Sequence, residues 1–111
     1  MGHWEDVYRN KLHSADDAAS LIPDKSFIVQ SLAVGEPPAL LEAVANRARN
    51  GGFTELRMTS LLPMAASART ILQEDVRDVI HWESMFASGA DRGLINSGAA
   101  LFNPAFFHQI P

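Results

Sequence analysis

Ser26-Phe27-Ile28-Val29-Gln30-Ser31-Leu32 runs straight into Ala33-Val34-Gly35-Glu36-Pro37-Pro38 and on to Ala39-Leu40-Leu41-Glu42-Ala43-Val44-Ala45-Asn46-Arg47-Ala48. The first segment is short, rich in β-branched and aromatic residues and bounded by turn formers, which predicts a strand. Leu40, Leu41, Val44 and Ala48 recur at helical spacing and Gly51-Gly52 closes the pattern, which predicts a helix. A strand handed to a helix through such a loop is the repeating unit of a parallel sheet.

Working outward, the same alternation continues. Trp4, Tyr8 and Leu12 lie four apart with Val7 beside them, one face of a helix that reads as a packing surface. Ser14 is placed to cap a helix over 15–22, with Asp16 and Asp17 in its first turn, and Pro23-Asp24 ends it. Beyond the central unit, a second strand is predicted over 56–62, stopped by Pro63. A helix follows over 65–80, a third strand over 81–87 and a short helix over 91–96, ended by Ser97-Gly98. A fourth apolar strand is predicted over 105–108. Strands separated by helices predict an α/β fold: residues 1–111 as one domain, with an open, mostly parallel sheet in three layers, helices on both faces and right-handed crossovers. No internal repeat, linker or low-complexity segment interrupts it. The chain stops at Ile110-Pro111, just after what reads as a central strand, and a fragment is expected to end that way.

Composition narrows the function classes. The 111 residues are 47% hydrophobic and 20% charged, too apolar for disorder, and roughly 65% of the unfolded surface can be buried, which makes a thin core. A net charge of −4 leaves no basic footprint for nucleic acid or an anionic membrane. The absence of cysteine excludes disulfide scaffolds, thiolate metal sites and cysteine nucleophiles. No apolar run nears the roughly 20 residues of a membrane helix, and Met1-Gly2-His3-Trp4-Glu5-Asp6 is unlike a secretory signal, so a cytoplasmic protein is expected.

The chemistry-bearing candidate is Val34-Gly35-Glu36-Pro37. Ligands of open parallel sheets bind beyond the carboxyl ends of strands. Gly35 allows close approach to the backbone, and unpaired amides ahead of a helix suit negative charge. One such donor facing a thioester oxyanion is worth about 3 kcal/mol in the transition state. An ordinary strand-to-helix turn needs the same Gly and Pro, and from spacing alone the plainer reading is preferred. Glu36 fits a general base, but the helix dipole explains it equally well. His3, His13, His81 and His108 have no metal-ligand spacing, so no metal is expected, and only His108, after Phe106-Phe107, stands where a site would be. No serine sits in a nucleophile elbow, and neither glycine-rich phosphate signature is present. Met58, Met64 and Met85 read as core fillers.

Four stretches, in order from Trp4 to the last residue, carry a resemblance. Trp4-x-x-x-Tyr8-x-x-Lys11-Leu12-x-Ser14-Ala15-Asp16-Asp17-Ala18 opens the chain, and Ala33-Val34-Gly35-Glu36-Pro37-Pro38-Ala39-Leu40 leads to Glu42-Ala43. Ser84-Met85-Phe86 follows with Gly89 and Arg92, and Phe102-Asn103-Pro104-Ala105-Phe106-Phe107-His108-Gln109-Ile110-Pro111 closes. Together they resemble the N-terminal part of the acetyl-CoA hydrolase/transferase family, which includes 4-hydroxybutyrate and butyrate–acetoacetate type CoA-transferases. The resemblance implies a longer enzyme of two related α/β domains with the site between them. A glutamate of the C-terminal domain attacks the acyl-CoA thioester, and acyl-glutamyl anhydride and glutamyl-CoA intermediates follow. It implies Val34 and Gly35 as amide donors, Glu36 and Pro37 as residues fixing the loop, and no permanently bound cofactor, with a coenzyme A thioester as substrate.

The departures are specific. Leu32 stands where many relatives have histidine, Gln109 where they have glutamate, and His81-Trp82-Glu83 where Arg-His-Asn is common. No catalytic residue is assigned in this chain; His108 and Gln109 remain as pocket candidates. The expected reading is an N-terminal fragment or diverged stand-alone version of a CoA-transferase, lacking the catalytic glutamate and inactive alone, with a C-terminal half as partner. A non-catalytic binding or oligomerisation module keeping the fold is the alternative, with a homo-oligomer as its partner state, and an unrelated α/β protein is a third. An uncovered apolar face at Phe106-Phe107 is expected in either of the first two cases.

Overall fold

The protein is described by a computed structural model covering residues 2–110. Helix α1, His3–Lys11, begins with the Glu5 carboxylate accepting the Gly2 N–H at 3.2 Å. Helix α2, Ala15–Ser20, is capped as expected: the Ser14 hydroxyl oxygen accepts the Asp17 N–H at 3.0 Å. Strand β1 is Phe27–Val29, and helix α3, Pro38–Arg49, starts with a proline in its first turn, where the missing N–H costs nothing. Its far end is a left-handed stop. Gly51, at φ +77°, donates to Ala48 O at 3.3 Å, and Gly52 donates to Arg47 O at 2.8 Å. Strand β2, Leu56–Ser60, helix α4, Ala65–Arg69, strand β3, Ile80–Ser84, helix α5, Arg92–Asn96, and strand β4, Leu101–Phe102, complete the order.

All four strands are parallel, in the order β1-β2-β3-β4. Phe27 pairs with Arg57, Met58 with Trp82 and Glu83 with Leu101. This order has a consequence for layering. Right-handed crossovers that always step in one direction place every connecting helix on the same face. The core agrees: Leu41, Val44 and Ala48 of α3 bury against Leu56, Met58, Ile80 and Trp82, with Phe53, Ile71 and Val76 filling between. The α/β class and the parallel sheet are as expected, whereas the described residues supply one helical layer, not two. The opposite face carries Phe27 and Val29 at 50% and 66% exposure and Leu101 at 65%.

Two polar anchors hold this layer together. Arg47 donates to Ala19 O and Ile22 O, both at 2.7 Å, and lies 4.0 Å above the Phe53 ring, so the end of α2 is tied to α3. Asp24 accepts the Thr54 hydroxyl together with the backbone N–H groups of Lys25, Thr54 and Glu55. The Thr54 hydroxyl leads in holding its carboxyl down, at about 2 against the usual 3.8.

Several boundaries differ for local reasons. The helix predicted over 65–80 stops at Arg69. Thr70 adopts φ −123°, ψ −89° and Leu72 N–H returns to Ser67 O at 3.0 Å, so Ile71, Leu72 and Val76 fill the core from a loop and a 3-10 turn, Glu74–Val76. The fourth strand lies at Leu101–Phe102, not over 105–108. Asn103 N–H closes the ladder on Ser84 O at 2.8 Å, and Pro104 offers no further donor. In the sheet of the described residues that strand lies at one side, and Phe107–Gln109 is a 3-10 turn. Phe106 and Phe107 are exposed as expected, 72% and 77%, though not on a strand. Pro111, the last residue of the closing motif, lies outside the described residues. The α1 stripe is not a packing face here: no residue of α1 is buried, and Trp4 is 78% exposed. Of the methionines expected as core fillers, Met58 is buried, Met85 is half-buried and Met64 is exposed.

Candidate functional site

The loops leaving the carboxyl ends of β1, β2 and β3 meet at one edge of the sheet. Backbone hydrogen bonding explains the first of them. Gln30 N–H still bonds to Thr59 O at 3.0 Å, and then the chain leaves the ladder. Ala33 turns at φ +50°, a left-handed conformation unusual for a residue with a Cβ, and donates to Leu62 O at 2.9 Å. A single 3-10 turn, Ala33–Gly35, follows.

Within that turn the two candidate amides differ. Gly35 N–H donates to Leu32 O at 3.0 Å and Glu36 N–H to Ala33 O at 3.1 Å, so the expectation of a free Gly35 amide is corrected: the turn itself consumes it. Among the described residues the Val34 N–H makes no hydrogen bond, and the Val34 side chain is 99% exposed. Any constraint on a side chain at position 35 is steric, not conformational. A Cβ there would come 3.2 Å from the Ser31 Cβ, and the left-handed residue of the loop is Ala33.

Glu36 is neither solvent-facing nor at the dipole of its own helix. It is buried, and its carboxylate accepts Met64 N–H at 2.7 Å, Ser67 N–H at 3.3 Å, the Ser67 hydroxyl and the Gln30 side-chain amide at 3.4 Å. Gln30 also donates to the Ser67 hydroxyl oxygen at 2.7 Å. Glu36 thus caps α4 from 28 to 31 residues away and locks the first loop to the second. Pro37 directs the chain into α3, beginning at Pro38.

A second buried carboxylate, Asp91, fixes the third loop. It accepts the Trp82 indole N–H at 3.0 Å, Ser88 N–H at 2.9 Å and the Ser88 hydroxyl at 3.0 Å. Sequence reasoning passed over Asp91, Ser67 and Gln30. Ser88-x-x-Asp91 is a local turn pattern that could have drawn attention to Asp91, whereas nothing local marks Ser67 or Gln30, whose partner is distant in the chain.

Between the loops lies an apolar groove of about 380 Å³. Leu32 comes from the first loop, Leu61 and Leu62 from the second, and Met85 and Phe86 from the third, while Phe106 and Phe107 close the side. His108 and Gln109 are not in its lining. Both are exposed on the 3-10 turn, where Gln109 Oε1 accepts the Phe106 N–H at 2.8 Å and the His108 ring stacks on Phe106 with centroids 5.8 Å apart. Among the described residues no three His, Asp or Glu side chains group as a metal site, and no helix is long and apolar enough to cross a membrane.

Comparison with known proteins gives this geometry a context. Residues 2–111 match the family model described as the acetyl-CoA hydrolase/transferase N-terminal domain. The 4-hydroxybutyrate coenzyme A transferase of Clostridium kluyveri is 32% identical over 108 residues, covering 97% of this chain and 24% of its own length. The succinyl-CoA:cyclohexane-1-carboxylate CoA transferase of Geobacter metallireducens is 27% identical over the same 97% and 24%. Among solved structures, RipA from Yersinia pestis superposes with a TM-score of 0.90 at 30% identity, over 97% of this chain and 27% of that one. The chain spans about a quarter of the length of the relatives it matches.

Proposed function

This chain belongs to the acetyl-CoA hydrolase/transferase family as its N-terminal domain, and from that premise we propose that it supplies the donor side of a CoA-transferase site whose acylating glutamate comes from another polypeptide segment. The observation that carries this reading is the state of the loop. Of the two candidate amides only Val34 N–H is unengaged among the described residues, and the loop bearing it is fixed by Ala33 to Leu62 and by Glu36 to Met64 and Ser67. A rigid loop with one unpaired donor is what a developing oxyanion requires.

The two buried carboxylates at this edge support the same division of labour. Glu36 and Asp91 are saturated with donors and serve the loops, so neither is a free nucleophile. In the proposed reaction the partner's glutamate attacks the thioester carbonyl carbon, the C–S bond breaks, and CoA thiolate departs to leave an acyl-glutamyl anhydride. The thiolate then attacks the glutamyl carbonyl and releases the first carboxylate, giving glutamyl-CoA. The incoming carboxylate reverses the sequence. Val34 N–H would donate to the oxygen that gains charge at each tetrahedral stage. No resident cofactor is required, the coenzyme A thioester is substrate, and the working compartment is the cytoplasm. Parallel sheets are covered on both faces as a rule, so the bare face carrying Phe27, Val29 and Leu101 is assigned to the partner segment, in cis or in trans.

The test is a chimera in which this chain replaces the matching quarter of the Clostridium kluyveri transferase. Replacing Val34 by its α-hydroxy acid analogue turns its N–H into an ester oxygen and keeps the side chain. The expected result is a loss of kcat by about a hundredfold or more with KM little changed, on the scale of removing one oxyanion donor. An unchanged kcat would remove Val34 from the site.

A further inference from the structure

The donor loop is closed by the two residues that flank it. Gln30 bonds to Thr59 O where the chain leaves β1, and Glu36 follows the 3-10 turn. Across the mouth of the loop the Gln30 side-chain amide reaches the Glu36 carboxylate at 3.4 Å. The firmer path runs through Ser67: Gln30 Nε2 donates to the Ser67 hydroxyl oxygen at 2.7 Å, and that buried hydroxyl donates in turn to Glu36. We infer that this clasp of Gln30, Ser67 and Glu36 sets the conformation of the donor loop, with Gln30 as its positioning residue. The inference rests on the proposed site and adds the group that holds its donor in place.

Hydrogen-bond direction singles out Gln30. An amide nitrogen only donates, so the Ser67 oxygen acts as its acceptor and the Ser67 proton is left for the carboxylate. The reverse orientation of the amide would set its carbonyl oxygen against the Glu36 carboxylate, acceptor against acceptor. The orientation that works leaves Gln30 Oε1 buried and without a hydrogen-bond partner among the described residues. A buried unpaired carbonyl is destabilising, and an apolar side chain of equal length would avoid it, so fold stability alone is a weak reason for an amide here. What the amide gains lies on its nitrogen side, at the loop. That loop has a conformation in need of holding. Ala33 turns at φ +50°, which a residue with a Cβ keeps only where its surroundings enforce it. The same turn consumes the Gly35 and Glu36 N–H groups and leaves Val34 N–H unbonded among the described residues. Ala33 N–H on Leu62 O pins the loop at its middle, and the clasp pins it at both ends.

The test is Gln30→Met, which keeps the length of the side chain and removes both the donor and the orphaned oxygen. In the 111-residue chain, amide exchange at Ala33, Gly35 and Glu36 is expected to quicken about tenfold, on the scale of one hydrogen bond. The urea midpoint and exchange along the β2–β3 ladder should stay nearly unchanged. In the Clostridium kluyveri chimera the same variant is expected to lower kcat about tenfold, again the scale of one hydrogen bond, with KM little changed. Gln30→Lys, which restores a donor of sufficient reach without the orphaned oxygen, should recover most of both effects. Unchanged exchange at the three loop amides, quickening shared equally by the ladder, or equal losses in Gln30→Met and Gln30→Lys would overturn the inference. The Val34 ester chimera keeps the two readings apart. A kinetic loss with the ester and none with Gln30→Met counts against this inference alone, whereas loop release by Gln30→Met with an indifferent ester counts against the donor assignment alone.

Discussion

The two faces of the sheet are built from alternate residues of the same strands and behave as different materials. On one, Leu56, Met58, Ile80 and Trp82 lie under α3 and the loops at no more than 4% exposure. On the other, Phe27, Val29 and Leu101 are at least half exposed, and the interior positions are Arg57, His81 and Glu83. The bare face is held by polar stitching. Arg57 lies 4.5 Å above the Phe27 ring and bonds both Glu83 carboxylate oxygens at 2.9 and 3.0 Å, which links β1, β2 and β3. Packing carries the first face and salt-sensitive contacts the second, so one strand can be stable on its inner side and available on its outer.

The contrast can be broken most forcefully from the packed side. Leu56→Ala, at a position with no exposure, is expected to cost about 2–5 kcal/mol by urea denaturation, with the high end set by the cavity it leaves. Glu36→Ala comes next, at about 3 kcal/mol, because it leaves the Met64 and Ser67 donors unpaired at the end of α4. Amide exchange at Val34 and Gly35 should quicken in the same variant, which separates loop release from a general loss of stability. On the bare face, Arg57→Ala is expected to cost only about 0.5 kcal/mol and to lose that effect at high salt, since half of its side chain is exposed. A cost near that of Leu56→Ala would mean that the outer face is as structural as the inner.

A pH experiment sharpens the comparison at the sheet's margin. The Asp24 carboxyl is held at about 2 by the Thr54 hydroxyl and the surrounding backbone N–H groups, below its ordinary 3.8. A depressed folded value means that its stabilisation is present above about pH 4 and is lost as pH falls toward 2. Asp75 shifts the same way through the Arg49 hydrogen bond. Unfolding midpoints at pH 5, 3 and 2 should therefore fall in the native chain and fall less steeply in Asp24→Asn.

Much of this was readable from the chain because it depends on neighbours. The strand found within 26–32, the Pro-led helix after it and the Gly51-Gly52 stop are consequences of local pattern, and the family resemblance rests on four short motifs in order along the chain. Strand order is not local. Consecutive strands pair side by side, which puts the helices on one face, and no residue in any single segment records that choice. The site shows the same limit. Val34 and Gly35 look alike in sequence, and only the 3-10 turn separates a bonded amide from an unbonded one. Glu36 looks like a helix-start carboxylate, and its partners Met64 and Ser67 are supplied by a loop that the folded sheet brings alongside. Pro104 was the one local signal that could have moved the last strand to 101–102.

The division of labour between a donor loop here and an acylating glutamate elsewhere is tested most directly by following CoA transfer from acetyl-CoA to 4-hydroxybutyrate. The pure 111-residue chain should leave the thioester at its uncatalysed rate, and the Clostridium kluyveri chimera containing it should transfer. Turnover by the pure chain would contradict this division, since it would require an acylating nucleophile within the chain itself.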